Sequence, residues 1–232
     1  MDIQIKANDP SEDLETLLSF LSHDLKSPLR SICGFSAMIL ENGSESVNTS
    51  SIDHVKRIEK AAHRMEGLIE GMLTYVRFGQ RKLDIKELNI SKICANILDQ
   101  KNYSNLVDVV VKPNMRAHGD EVLINVLLEN LIQNAIKFTK NSPSGRIDID
   151  FVETPQGKAF LVKDNGIGFH MEHARHLFKP FELVHSDPKL NGIGMGLPIA
   201  KRIVDRHGGS IWFESAPNEG TRIYFTLLKK SF

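Results

Sequence analysis

The sequence has 232 residues, enough for one large domain or two ordinary ones, and its 41 % hydrophobic and 25 % charged content excludes a disordered chain. Lysine plus arginine balances aspartate plus glutamate at 29 each, so no basic excess draws the chain to nucleic acid or an anionic membrane. The two cysteines, Cys33 and Cys94, stand singly, which excludes a disulfide framework or a zinc ribbon and fits a reducing, cytoplasmic setting in which both are small core residues.

No apolar run reaches the ~18–20 residues of a membrane span, and no basic segment followed by an apolar core opens the chain, so it reads as soluble. From Leu14 the apolar positions Leu14, Leu18, Leu21, Leu25, Pro28, Ile32, Phe35 and Ile39 alternate steps of four and three. That is the seam of a helix in a coiled-coil-like bundle, broken only by Pro28. Glu41 to Ser51 is a polar loop, and a second helix carries Ile52, Val55, Ile58, Ala62, Met65, Ile69, Met72 and Val76 on one face. Each stripe is too wide for one antiparallel neighbour to cover, so the hairpin is expected to dimerise into a four-helix bundle.

Beyond Arg77–Asn89 the pattern becomes mixed. Val107, Val109 and Val111 alternate, as do Ile147, Ile149 and Phe151, and "AFLVKD", "SIWFES" and "TRIYFTLL" read as short strands. Helical stretches lie at Ser91–Asn102, Asp120–Thr139 and Leu197–His207, so the second part is a mixed sheet with helices packed on it.

Three stretches of this part carry chemistry. In "ENLIQNAIKFT", Asn130, Asn134 and Lys137 share one helix face. Such a face can simply mark the solvent side, but asparagine carbonyls also suit magnesium and the ammonium suits phosphate. "DNGIGF" puts Asp164 at a strand end before Gly166 and Gly168; it suits either a common turn or a backbone closely approached by a ligand. "NGIGMGL" runs Gly192, Gly194 and Gly196 straight into a helix, where backbone N–H groups and the positive helix end can hold phosphate oxygens. It is neither a dinucleotide fingerprint nor a Walker loop. His170, His173 and His176 lack the companion ligands of a metal site and read as solvated histidines.

Taken in order, "ENLIQNAIKFT", "KDNGIGF", "HLFKPFE" and "NGIGMGLPIAKRIVDRHGG" resemble the N, G1, F and G2 boxes of sensor histidine kinases. "FLSHDLKSPLRSICGF" resembles their H box, and the HDLKSPLR form is most similar to the phytochrome-like branch. The resemblance covers about residues 12 to 228. It implies two domains: a phosphoacceptor hairpin at 12–80, all-α and forming a dimeric four-helix bundle, and a catalytic domain at 84–230. The second is an α/β two-layer sandwich of the GHKL (Bergerat) ATP-binding type.

By the same resemblance the cofactors are ATP and Mg2+. Asp164 accepts the adenine amino group, and Gly166 and Gly168 shape that pocket. Asn134 and Asn130 hold magnesium, Lys137 contacts phosphate, and Gly192, Gly194, Gly196 and Leu197 border the triphosphate. Phe178 belongs to the nucleotide site and moves, with the segment to Phe181, as part of a lid at His170–Asn191. ATP-hydrolysing relatives resembling gyrase, MutL and Hsp90 carry a glutamate where this chain has Asn130. An amide takes no proton from water, and the neighbouring Glu129 lies about 100° round the helix, so the γ-phosphate is spared for another nucleophile.

That nucleophile is implied to be His23. In the heptad set by Leu21 and Leu25 it faces away from the bundle core. Asp24, where the family more often has glutamate, can accept the Nδ1–H of His23 and leave the Nε2 lone pair for in-line attack. Pro28 lacks an N–H and crowds the carbonyl of Asp24, so the helix is expected to bend beside the nucleophile. Ser27, one turn after His23, is the candidate for orienting a water in a phosphatase reaction.

The expected activity is that of a protein-histidine kinase in a two-component system: autophosphorylation at His23, then transfer to an aspartate of a response-regulator receiver domain. The chain is expected to be a homodimer without its upstream input domain, making no contact with nucleic acid or membrane. A non-catalytic dimeric nucleotide-binding scaffold and a GHKL-type ATPase switch are the alternatives.

Overall fold

Two amphipathic helices and a set of short strands partition the chain. The computed structural model describes residues 25–41, 49–80, 82–103, 106–139, 142, 144–183 and 192–227. It divides into two units between Leu73 and Thr74.

The first unit contains α1 (Lys26–Glu41) and most of α2 (Thr49–Gln80). On α1 the stripe residues Leu25, Ile32, Phe35 and Ile39 are half-buried and Pro28 is buried. The residues preceding Leu25 lie outside those described, and with them the expected bend of the helix before Pro28. On α2, Leu68 is buried at 3 % exposure, whereas Ile52, Val55 and Ile69 of the predicted stripe keep 43–54 % of their surface open. One antiparallel neighbour therefore leaves part of the stripe uncovered. Cys33, expected in the core, is exposed. It follows the stripe residue Ile32 by one position, which carries it about 100° round the helix and off the seam.

In the second unit a two-stranded antiparallel ribbon, β1 (Ile85–Asn89) with β3 (Arg116–Asp120), accompanies a five-stranded sheet. The sheet contains β2 (Asp108–Val111), β4 (Arg146–Thr154), β5 (Gly157–Asp164), β6 (Ile211–Ala216) and β7 (Gly220–Phe225), in the order β2-β4-β5-β7-β6. Among the described residues, β2 pairs with β4 in parallel and the other pairs of this sheet are antiparallel. The helices α3 (Ile90–Gln100) and α4 (Glu121–Thr139) pack against it, and α5 (Gly196–Arg206) packs against α4. This is the expected two-layer α/β sandwich with a mixed sheet.

The register explains the core. Ile149, Val162, Ile223 and Phe213 stand opposite one another across four strands and are all buried, as are Phe160, Phe225 and Ile211 across three. Alternation of side chains along a strand puts every second residue of β5, namely Phe160, Val162 and Asp164, on that same covered face. Helix α4 fills the layer with Leu123, Ile124, Leu127, Leu128, Leu131 and Ile132, each 0–1 % exposed.

Helix starts follow their caps. The side chain of Asn89 accepts the N–H of Lys92 at 3.0 Å, so α3 opens at Ile90, one residue before the predicted Ser91. Asp120 lies outside α4 and caps it, its Oδ1 accepting from the N–H groups of Val122 (3.1 Å) and Leu123 (3.2 Å). The last turns of α2, from Thr74 on, belong to this second unit. Arg202 of α5 stacks on Tyr75 at 4.4 Å, and Arg206 donates to the carbonyl of Phe78 near the helix C-terminus, where a cation is favoured.

Leu127 is fully enclosed, so Leu127→Ala is expected to lower the unfolding free energy by about 2–5 kcal/mol. Urea denaturation of the two proteins measures it.

Candidate functional site

Asp164 ends β5 with its carboxylate on the covered face, only 5 % exposed. The Gly166 N–H donates to its Oδ1 at 2.9 Å. Burial pushes the carboxyl up to about 6, against the N–H groups of Gly166 and Thr221, which favour the charged form. The hydroxyl of Thr139 also favours that form but stands outside hydrogen-bond geometry, and this fully buried Oγ1 has no hydrogen-bond partner. An ionised carboxylate offers about four acceptor sites. The donors supplied here leave capacity for a ligand amino or N–H group.

The loop after Asp164 is shaped by close approach. A Cβ on Gly166 would stand 2.4 Å from the carbonyl oxygen of Phe138, the last-but-one residue of α4. Gly168 has φ +55°, and a Cβ there would meet the oxygen of Ala216 at 2.0 Å. The β6–β7 turn staples this loop: Asn218 N–H donates to the oxygen of Ile167 at 2.7 Å, and Phe169 N–H to Ser215 Oγ at 3.0 Å. Ser215 Oγ in turn donates to the oxygen of Gly220 at 2.8 Å.

The second half of the site is where α4 faces the glycine turn at the start of α5. A Cβ on Gly196 would lie 2.9 Å from Asn130 Oδ1 and 3.6 Å from Asn134 Nδ2, and one on Gly192 would lie 3.2 Å from Lys137 Nζ. Two amides, an ammonium and a glycine-lined backbone therefore converge. The amide nitrogen of Asn130 donates to the carbonyl of Val126 at 2.8 Å, which turns its oxygen toward the glycine turn. Lys137 Nζ sits 4.8 Å over the ring of Phe138. Glu129 is engaged elsewhere, accepting from Gln133 at 3.0 Å and pairing with Lys101 at 3.1 Å. Leu197 is half-buried in the first turn of α5.

Gly194 has φ +75°, and its carbonyl accepts the N–H of Phe181 at 2.9 Å. This ties the glycine turn to the segment that follows the short 3-10 helix Met171–His176. Phe178 packs on Phe213 at 5.1 Å, so it is anchored to β6. His170 and His176 are exposed, and no cluster of three His, Cys, Asp or Glu side chains occurs among the described residues. Cys94 is fully buried and burial pushes its thiol up to about 12, the state of an unreactive core residue. Ser27 is exposed in the first turn of α1, while His23, Asp24 and residues 184–191 of the expected lid lie outside the described residues.

The arrangement thus unites Asn130, Asn134, Lys137, Gly192 and Gly196, and puts Asp164, Gly166 and Gly168 at the end of β5. Thr139 and Ser215 were not singled out in the sequence. Thr139 ends the asparagine helix, and a polar residue closing so apolar a run was the available signal.

Residues 119–231 match the family model "Histidine kinase-, DNA gyrase B-, and HSP90-like ATPase", and residues 13–81 match "His Kinase A (phospho-acceptor) domain". Cyanobacterial phytochrome B of Nostoc sp. is 32 % identical over 232 residues, covering 97 % of this chain and 31 % of that protein. The phytochrome-like protein Cph1 of Synechocystis sp. is 30 % identical over 220 residues, covering 93 % and 29 %. The chain therefore spans about a third of these relatives. The structure of histidine kinase ThkA in complex with the response regulator protein TrrA matches 94 % of this chain and 63 % of that one, with a TM-score of 0.66 and 23 % identity, a likeness of fold.

The raised carboxyl of Asp164 has a consequence for stability. Its proton is held more tightly folded than unfolded, so the contribution is complete below pH ~4 and is lost as pH rises through ~6. Between pH 4 and pH 8 the wild type is expected to lose up to about 3 kcal/mol that Asp164→Asn does not, as read from paired urea melts.

Proposed function

The chain belongs to the sensor histidine kinases, and from that premise we propose that it moves the γ-phosphoryl group of ATP to His23 and then to an aspartate of a response-regulator receiver domain. The observation that carries this reading is the convergence of Asn130, Asn134 and Lys137 on the glycine turn at the start of α5. Amide oxygens, an ammonium and a helix N-terminus are together the donor set for a metal-bound polyphosphate. The phosphoacceptor domain runs over 12–80 and the catalytic domain over 84–230, in a cytoplasmic protein.

In this reading the carboxylate of Asp164 accepts the adenine amino group in a pocket whose floor is the backbone of Gly166 and Gly168. Lys137 neutralises phosphate charge, the glycine turn supplies backbone N–H groups, and Leu197 and Phe178 border the nucleotide. Asn130 and Asn134 present hard oxygens that fit magnesium, which supplies charge neutralisation on the phosphates.

Phosphoryl transfer then needs a nucleophile in line. The Nε2 lone pair of His23 forms the new P–N bond as the bond to the β–γ bridging oxygen breaks and ADP departs. The Nδ1 proton of the resulting imidazolium passes toward Asp24. Catalysis is positioning plus charge stabilisation. Hydrolysis is disfavoured because Asn130 accepts no proton and Glu129 is held by Lys101 and Gln133. The open faces of Ile52, Val55 and Ile69 support a homodimer, with a second hairpin covering them. Ser27, exposed beside the nucleophile in sequence, orients water when the phosphorylated regulator is dephosphorylated.

Incubation with γ-labelled ATP and magnesium is expected to place acid-labile, base-stable label on the wild type and none on His23→Gln. Label on the variant would move the acceptor elsewhere. Absence of label on both, with ADP still bound, would turn the reading toward a nucleotide-binding scaffold.

A further inference from the structure

His207 closes α5 and is 8 % exposed, with no place in the phosphate or adenine site. Its two ring nitrogens have opposite duties. Nδ1 lies 2.8 Å from the carbonyl of Ile203, and a carbonyl only accepts, so Nδ1 carries the proton. Nε2 receives the backbone N–H of Asp120 at 3.0 Å, so it is unprotonated. The surroundings therefore require a neutral imidazole in one tautomer.

The residue it holds is the corner between β3 and α4. Asp120 is 1 % exposed, and its carboxylate caps α4 through Val122 and Leu123 while accepting the N–H of Asp84 at 3.1 Å. Gly119 gives the ring room, since a Cβ there would press on Ile124 at 2.9 Å and on His207 Nε2 at 3.3 Å. Helices α4 and α5 pack against each other, and the ends of α5 meet two different parts of α4. His207 meets Asp120 at one end, and Gly196 meets Asn130 and Asn134 at the other. An 11-residue helix is about 16 Å long and behaves as a rigid strut between them.

We propose that His207 is a positioning residue for the nucleotide site: its neutral imidazole ties the C-terminal end of α5 to the capped start of α4, fixing the gap between Asn130, Asn134 and Lys137 and the glycine turn. This rests on the nucleotide reading above. Protonation would set a second N–H against that of Asp120, so an imidazolium cannot hold the corner. The charged groups facing the ring are Asp120 from β3 and Arg206 from its own helix end, and burial holds the imidazole below its usual range.

The test is Mg-ADP affinity, by calorimetry at pH 7.5, of the wild type, His207→Ala and His207→Gln, with nitrogen-15 NMR of the wild-type imidazole. A glutamine amide both accepts and donates, so it can replace the two hydrogen bonds. His207→Ala is expected to bind ADP about tenfold more weakly, the scale set by removing those two hydrogen bonds, and His207→Gln to recover to within about threefold. The NMR spectrum is expected to show the Nδ1–H tautomer. A folded His207→Ala with unchanged affinity, a glutamine variant as weak as alanine, or an Nε2–H or imidazolium signal at that pH would overturn the proposal. Should His207→Ala not fold, Gly119→Ala takes its place: it crowds Nε2 while removing no hydrogen-bonding group, and unchanged ADP affinity there is equally fatal. A wild type that binds no ADP would instead defeat the nucleotide reading itself.

Discussion

A carboxylate buried at the end of a strand is the constraint around which the second unit is arranged. The alternation of β5 sends Asp164 to the same face as Phe160 and Val162, where a charge is costly unless donors meet it. The protein supplies two backbone N–H groups, and burial still pushes the carboxyl up to about 6. A fully satisfied carboxylate would gain little from a ligand amino group. One deprived of donors gains more, because binding relieves a desolvation cost already incurred in folding.

The glycines follow from the same constraint. To bring a ligand against Asp164 the backbone after it must run close under α4 and the β6–β7 turn, and Gly166 and Gly168 have no space for a Cβ. At the other end of the site, Gly196 and Gly192 leave room for the side chains of Asn130, Asn134 and Lys137. The proposed site therefore lies where α4 faces a turn whose glycines at 192 and 196 leave room for its side chains. Its geometry depends on how α4 and α5 are held together over their whole length.

Much of this was legible in the residues. The heptad-like steps of α1 and α2, the alternation of β4, and the order of the asparagine helix and glycine turns all rest on local periodicity and spacing, which sequence carries directly. The ribbon of β1 and β3 was not legible. "IKELN" and "RAHGD" hold few β-branched residues, and their pairing is imposed by partners 27 to 35 positions away, from Asn89↔Arg116 to Ile85↔Asp120. Asp120 before an apolar run was a readable cap signal, although the predicted helix absorbed it. Cys33 was misplaced because a helical neighbour of a core residue need not be core. His207 was invisible as more than a helix-end residue, since its role depends on a carbonyl four residues back and an N–H 87 residues away.

In the proposed function Asp164 recognises a ligand's amino group. The most direct measurement is the affinity of the wild-type protein for ADP against inosine diphosphate, by calorimetry at pH 8 with magnesium. The two share every phosphate and ribose contact, but inosine presents a carbonyl oxygen where adenine has its amino group. Placing that oxygen against an ionised, buried carboxylate replaces a donor by a repelled acceptor, so ADP is expected to bind at least about a hundredfold more tightly, a gap of roughly 3 kcal/mol. Equal affinities would contradict the account and leave Asp164 a structural residue of the β5 turn.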